Sequence, residues 1–277
     1  MSPTRRRDAV AFLVRRHKVS ERRACKVVGA HRSTHRYVPV PGDFEQRLIK
    51  SIRAHAEEHP RWGYRRVHAL LLAEGWSVNV KRVHRLWVLE GLRVPKARKH
   101  RGQKALGGDC NSAWALPAMR PNHVWSYDFV AARTADGAPL RILNIVDEFT
   151  REAVVSHVAR SIGARDITKV LERVFQTRGK PAIIRSDNGR EFIAATVVDW
   201  LQDRQVTAAF VAKASPQQNC YVERFNGSMR DELLNGELFT TLLEARVVIS
   251  EWITGYNSSR PHRSLGMMTP AAFAASV

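Results

Sequence analysis

The sequence predicts an α/β domain, a mixed five-stranded sheet with flanking helices, preceded by all-helical, helix-turn-helix-like modules. Three observations carry that expectation. Apolar residues recur at helical spacing as far as Gly91, then fall into short strand-like runs beyond Arg120. Three such runs follow one another through short connections before helix and strand begin to alternate. The positive charge is also partitioned. Residues 1–120 carry 27 Lys and Arg against 9 Asp and Glu, whereas residues 121–277 carry 18 against 17.

The helical part reads in order. Val10, Phe12, Leu13 and Val14 mark a first segment, Ser20 caps a second from Glu21 to Val28, Gly29 stops it, and the basic stretch His31 to Arg36 follows, as in a helix-turn-helix unit. Pro39, Pro41 and Gly42 read as a linker. Phe44, Leu48 and Ile52 then sit at helical spacing. Pro60 interrupts that pattern, and Val67, Leu70 and Leu71 resume it up to Gly75. Asn79 caps a further helix in which Val83, Leu86, Trp87 and Leu89 are apolar and Lys81, Arg82, His84 and Arg85 polar; Gly91 closes it. Arg93 to Lys104 is a basic connector ended by Gly107-Gly108. The expected domains are thus a helix-turn-helix-like segment (1–40), a basic helical module (43–106), a linker (107–120) and a sheet domain (121–277).

In the sheet domain, strands are expected over Val124 to Val130, Leu140 to Val146 and Ala153 to Val158, with a hairpin turn at Thr134-Ala135-Asp136-Gly137. An amphipathic helix (Ala164 to Thr177), a strand (Ala182 to Ser186), a helix (Ala194 to Gln205) and a strand (Val206 to Phe210) follow. Three hairpin strands and then alternating helix and strand give the mixed sheet of a ribonuclease-H-like core.

Composition narrows the function classes. The net charge of +19, nearly all of it in the first 120 residues, points to a polyanionic partner, of which nucleic acid is the commonest. No run of 18 apolar residues offers a membrane span, and the basic start lacks a secretory h-region, so a cytoplasmic protein and no membrane partner are expected. Cys25, Cys110 and Cys220 are far apart and odd in number, which predicts small reduced residues without a disulfide framework or zinc knuckle. The eleven histidines are dispersed and predict no structural zinc.

Three carboxylates stand out. Asp128 follows Val124-Trp125-Ser126-Tyr127, Asp187 follows Ile183-Ile184-Arg185-Ser186, and Glu223 lies in a helix start with Asn219, Asn226 and Arg230 on its face at intervals of four, three and four. Asp128 and Asp187 are expected on adjacent strands. Converging carboxylates repel unless a cation neutralises them, so the trio implies divalent metal bound by carboxylate oxygen, magnesium first. Asn226 and Arg230 are expected to hold phosphate beside it. The rival acids Asp147, Glu148 and Glu191 are read as structural, Asp147 pairing with Arg151 and Glu191 with Arg185 or Arg190.

These segments resemble a known family. Trp125-Ser126-Tyr127-Asp128-Phe129, Ser186-Asp187-Asn188-Gly189-Arg190-Glu191-Phe192, Ser215-Pro216-Gln217-Gln218-Asn219 and Glu223-Arg224-Phe225-Asn226-Gly227 are similar to the core of OrfB-type transposases of bacterial insertion sequences, relatives of retroviral integrase. Thirty-five residues separate Asp187 from Glu223, as in that family, and Arg230 falls seven after Glu223 where the family is basic. Tyr256-Asn257, Arg260-Pro261-His262 and Thr269-Pro270 match its ending, and Arg61 to Arg66 its helical module; Cys220 replaces a usual glycine.

The resemblance implies transposition: metal-dependent strand cleavage and strand transfer, with two Mg²⁺ or Mn²⁺ ions on Asp128, Asp187 and Glu223. It implies double-stranded DNA partners (element ends and target), a homo-oligomer in a synaptic complex, an upstream overlapping frame as a further partner, and a bacterial, nucleoid-associated location. Candidate DNA contacts are Arg65, Arg66, Lys81, Arg82, Arg85, Lys96, Arg98 and Lys99 besides Asn226 and Arg230. The alternatives are an inactive DNA-binding repressor or competitor, and a nuclease acting by hydrolysis only.

Overall fold

The computed structural model describes residues 2–36, 42–94, 117–211 and 219–277, in two compact units covering 1–51 and 52–277. The first unit contains α1 (Pro3–His17), α2 (Glu21–Val28) and α3 (Arg32–Arg36). Ser20 caps α2 as expected, its side chain accepting from the Arg23 N–H, an interaction worth about 1 kcal/mol. Gly29 ends α2 at φ 65°, a left-handed conformation that glycine adopts without strain. Val10, Ala24 and Cys25 form a small core, and Glu21 ties α3 to α2 by accepting from Arg36 at 2.8 Å and Arg32 at 3.4 Å. A fourth helix, α4 (Asp43–Glu58), contains the boundary between the units.

In the second unit α5 (Tyr64–Ala73) packs on α6 (Val80–Leu89) through buried Val67, Leu71, Val83, Leu86 and Trp87. Asn79 caps α6 by accepting from the Lys81 N–H at 2.8 Å. With the apolar side of α6 turned inward, Lys81, Arg82 and Arg85 are exposed, as is Arg65 on α5. The basic connector residues Lys96, Arg98 and Lys99, and most of the expected 107–120 linker, lie outside the described residues.

The sheet follows from β1 (Val124–Arg133), β2 (Pro139–Asp147), β3 (Ala153–Ala159), β4 (Ile183–Ser186) and β5 (Thr207–Phe210), with α7 (Ala164–Arg178) before β4 and α8 (Ala195–Asp203) before β5. Its order is β3-β2-β1-β4-β5; β1 to β3 are antiparallel neighbours, and β4 runs parallel to both β1 and β5. This is the mixed sheet of a ribonuclease-H-like fold. Gly137 (φ 82°) permits the hairpin turn, and Thr134 N–H donates to Ala138 O at 3.0 Å. β1 runs three residues past its expected end because Ala131 to Arg133 continue the ladder with Pro139 to Arg141, beyond the apolar run that marked the strand.

Helices cover both faces. Trp125, Tyr127, Leu143 and Ile145 pack with Ile167, Leu171, Val197 and Leu201 of α7 and α8. The intervening positions Val130, Leu140, Ile142 and Val146 face Val222, Phe225 and Met229 of α9 (Cys220–Met229) and Ala245, Ile249 and Tyr256 of α10 (Leu242–Ser258). Each such side chain contributes roughly 1.5–3 kcal/mol on full burial. A strand's two-residue period therefore fixes sides: Asp128 and Asn144 share the α9 side with Val130 and Ile142. A π-helical turn (Arg230–Leu234) extends α9, and α11 (Pro270–Ala274) ends the described chain. No helix among the described residues is long and apolar enough to cross a membrane. Cys25 is buried and free, as expected, but Cys220 is disulfide-bonded, contrary to the expectation of three reduced cysteines.

Candidate active site

β1 and β4 pair in register Val124↔Ile183, Trp125↔Ile184 and Ser126↔Arg185. Carried two residues further, that register sets Asp128 level with Asp187. Asp128 is half-buried on the α9 side of the sheet. Its Oδ1 accepts from the Phe129 N–H at 2.7 Å and its Oδ2 from Asn226 Nδ2 at 2.9 Å. Behind it lies a chain of buried polar groups: Asn226 Oδ1 accepts from Asn144 Nδ2 at 2.7 Å, and Asn144 Oδ1 from Ser156 Oγ at 2.5 Å. The carboxylate is thus oriented across three strands and a helix.

Asp187 emerges exposed just beyond β4, and its Oδ1 accepts from the Gly189 N–H at 2.9 Å. Space is tight at Gly189: a Cβ there would stand 3.0 Å from Asp187 Oδ1 and 3.2 Å from the Phe192 ring, so a larger residue would press on the carboxylate. Phe192 is buried, stacked on Phe129 at 4.8 Å and edge-on to Tyr127 at 4.2 Å, so the loop after Asp187 is clamped to β1. Asn188 Nδ2 donates to Val211 O at 2.7 Å and holds the other side of the loop. Glu191 pairs with Arg141 of β2 at 2.6 Å instead of Arg185 or Arg190, because the loop folds back over the neighbouring strand.

Glu223 lies on α9 with its side chain reaching solvent, and no hydrogen bond holds its carboxylate among the described residues. Asn219 at the start of the helix is buried and donates to Tyr127 O at 3.5 Å. Partial burial first, and then the charges of Asp128 and Asp187, raise the pKa of Glu223. Asp128 is likewise raised, chiefly by burial and further by Asp187, against the lowering effect of Phe129 N–H, Asn226 and Arg230. The three acids therefore feel one another's charge. They are not gathered around a point: among the described residues no three His, Cys, Asp or Glu side chains stand close enough to hold a metal ion as they are.

Two expected phosphate or DNA contacts are placed differently. Asn226 is buried, with its amide committed to Asp128 and Asn144; its spacing gave the correct helix face but not its depth. Arg66 is half-buried against Glu232 at 3.3 Å, so its charge is directed inward. Arg230 is exposed and close enough to act on Asp128.

The other rival acids are structural, with partners of their own. Asp147 accepts from the backbone N–H groups of Asn122 at 2.7 Å, Phe149 at 2.8 Å and Thr150 at 3.1 Å, and does not form the expected side-chain pair with Arg151. Glu148 is buried with Arg185 Nε 3.5 Å away; that spacing qualifies as an ion pair, yet neither carboxylate oxygen accepts a hydrogen bond among the described residues. Burial accordingly pushes its pKa up to about 7.

Sequence reasoning missed Asn144 and Glu232. Asn144 carried a signal, a lone amide in the apolar run Leu140 to Val146; on the buried α9 side of β2 such a group needs a polar partner. Glu232 accepts from Arg260 at 2.6 Å and Trp62 Nε1 at 3.1 Å besides pairing with Arg66, and so fastens the segment before α5 to the sheet domain. Its pattern is ordinary for a helix surface and gave no signal.

Comparison with known proteins bears on this arrangement. Models of the integrase core domain match residues 118–216 and 204–270, and an HTH-like domain matches 43–100. A 39.2 kDa protein of insertion element IS476 from Xanthomonas euvesicatoria is 38% identical over 275 residues, covering 99% of this chain and 78% of that one. A 31.7 kDa protein of insertion element IS407 from Burkholderia multivorans is 40% identical over 257 residues, covering 93% and 91%. The transposase for IS904 from Lactococcus lactis is 29% identical over 239 residues, covering 82% and 92%. Among solved structures, the catalytic core domain of HTLV-2 integrase in complex with magnesium aligns at a TM-score of 0.47 with 16% identity, covering 57% of this chain and 99% of that one. Identity of 38–40% across nearly the whole chain, with an integrase core and an HTH-like domain in the same order as the sheet domain and the basic helices, makes this chain a member of the insertion-element transposase family, OrfB-like in type.

Proposed function

We propose that the chain cuts and joins DNA strands at the ends of an insertion element, with Asp128, Asp187 and Glu223 holding two Mg²⁺ or Mn²⁺ ions. The observation that carries this reading is the register of β1 and β4, which sets two carboxylates level on adjacent strands while α9 presents a third that shares their field. The donor set fits a hard cation: it is all oxygen, and burial, with a smaller contribution from the carboxylates' mutual charge, raises the pKa of Asp128 and Glu223, a cost that positive charge would offset. When bound, such ions lower the pKa of an attacking water or 3′-hydroxyl and neutralise charge on the leaving oxygen.

The chain's own residues do the rest. Asn226 and the Phe129 N–H hold the Asp128 carboxylate in one orientation, and the Gly189 N–H does the same for Asp187. Glu223 is left free to turn inward from α9, completing the site only as the ions and DNA arrive. Arg230 stands beside them as the phosphate contact, and the exposed Arg65, Lys81, Arg82 and Arg85 of α5 and α6 supply backbone contacts in the module expected to recognise the ends. Lys96, Arg98 and Lys99, which lie outside the described residues, are further candidate contacts in this reading. Two ends must be held together for joining, so the working form is a homo-oligomer on the DNA, near the nucleoid, with the upstream-frame product as a further partner.

The test is purified protein with magnesium and a labelled element-end duplex. Strand transfer into a second duplex supports the proposal, nicking alone would instead make it a hydrolytic nuclease, and retardation without nicking a repressor. Asp187→Asn is expected to abolish nicking and leave duplex binding within about twofold, since one exposed carboxylate contributes little to a surface that binds phosphates.

A further inference from the structure

α9 has a second working face. On one side it carries Asn219, Glu223 and Asn226; on the other, Tyr221, Arg224, Phe225 and Ser228 line a cavity of about 300 Å³, at the lower end of the ~300–1,000 Å³ typical of small-ligand sites. Arg66, Arg151, Arg260, His262 and Ser264 complete its charged and polar lining. Four guanidinium groups thus meet there; Glu232 is shared between Arg260 and Arg66, and the buried Glu148 carboxylate acts on Arg151 from a distance. The resulting field, added to burial as the larger cause, holds His262 neutral with a pKa of about 3, and its ring faces Arg260 at 3.4 Å.

Arg151 feels the charge of Glu148 but makes no such close ion pair among the described residues. It occupies a left-handed backbone conformation (φ 64°) that a non-glycine residue seldom takes, and its guanidinium lies 3.9 Å over the Tyr221 ring. Its Nη1 is buried without an acceptor among the described residues. A buried charged donor left unmatched is costly, and strained backbone persists where the surrounding structure holds it for a purpose. The lining is rich in donors: guanidinium N–H groups and the hydroxyls of Ser228 and Ser264. A tetrahedral anion with several acceptor oxygens satisfies such a set.

We propose that this cavity binds a phosphate group, with Arg151 as its principal donor and Arg224 and Ser228 beside it. Two sources offer that chemistry. One is a phosphodiester of bound DNA, for which a second cleft lined by Arg65 and Arg263 would take the neighbouring phosphate; this source rests on the function proposed above. The other is a free polyphosphate, which does not.

The experiment is calorimetric titration of the full chain with inorganic pyrophosphate at low ionic strength, in the presence of a chelator so that the acidic trio plays no part. One saturable site is expected, weakened about tenfold or more by Arg151→Gln and to a smaller extent by Arg224→Gln, and unchanged by Lys50→Gln at an exposed position of α4, which tests for diffuse surface binding. Thermal melts verify each variant's fold; should Arg151→Gln fail to fold, Arg224→Gln carries the same comparison. Wild-type protein that does not bind pyrophosphate, or folded pocket variants that bind it as tightly as wild type, would overturn the proposal. A duplex that displaces pyrophosphate identifies the DNA backbone as the source. A duplex that binds alongside it identifies a free polyphosphate, and a duplex that does not bind counts against the proposed function while the pyrophosphate result stands.

Discussion

Truncating Asn226 tests whether the buried amide chain orients Asp128. Asn226→Ala removes a neutral hydrogen bond, Asn144 Nδ2 to Asn226 Oδ1 at 2.7 Å, and one to a carboxylate, Asn226 Nδ2 to Asp128 Oδ2 at 2.9 Å. The first contributes about 1 kcal/mol and the second about 1.5–3. Two effects moderate the sum: Met229 Sδ, 3.6 Å from Asn144 Nδ2, remains as a weak acceptor, and half-buried Asp128 recovers some hydration. A loss of about 3 kcal/mol follows, measurable as a shift in urea midpoint with chelator present. A double-mutant cycle with Asn144→Ala isolates the pair, and a coupling of about 1–2 kcal/mol is expected because the second truncation removes a group that the first had orphaned. Under the proposed function, nicking should fall about 10–100-fold, as for residues that orient a metal ligand. Additive single effects within about 0.5 kcal/mol, or a cost for Asn226→Ala below about 1 kcal/mol, would refute the network.

Three further outcomes follow from other sites. Glu148, with a folded pKa of about 7 against 4.5 unfolded, binds a proton more readily in the native state; its contribution is full below pH 4.5 and is lost as pH rises through 7. That difference is about 3 kcal/mol, so Glu148→Gln should flatten the fall in urea midpoint between pH 5 and 8, and parallel curves for variant and wild type would count against it. Glu232→Gln leaves Arg260 and Arg66 without their shared counter-charge and should cost about 3–5 kcal/mol in denaturant titration; a loss under about 1 kcal/mol would mean the cluster is not needed to hold the segment around Trp62. Duplex binding by the full chain should weaken on the order of a thousandfold between 50 and 200 mM salt, as for six or more phosphate contacts, and a flat response in a retardation assay would remove the basic helices from DNA recognition.

Local rules reached far into the fold because they act over a few residues. Ser20 and Asn79 cap the helices they were expected to cap, Gly29 stops α2, and the two-residue period of β1 and β2 already commits Asp128 and Asn144 to one side of the sheet. The spacing of Asn219, Glu223 and Asn226 likewise fixes a helix face. Depth and pairing were another matter, since they depend on what arrives from elsewhere. Asn226 read as a phosphate contact until Asn144, 82 residues away, appeared behind it. Glu191 had two arginines nearby in sequence and took Arg141 across the sheet, while Arg66 turned from a DNA candidate into a partner of Glu232, 166 residues on. Charged side chains are long and interchangeable as partners, so their pairing is settled by which strands become neighbours.

α9 is where these long-range choices converge. Val222, Phe225 and Met229 bury the helix against the sheet, which fixes its distance from β1 and β2. Polar ties add direction on one side: Asn219 to the Tyr127 carbonyl, and Asn226 to Asp128 and Asn144. Glu223 sits between those two anchors, one turn after Asn219 and three residues before Asn226. Its Cα therefore cannot move without straining a buried hydrogen bond, although its carboxylate remains free to rotate. Under the proposed function, a third acid delivered in this way adds repulsion to the pair on the strands only through its side-chain torsions, so the three carboxylates would close when positive charge makes closing favourable.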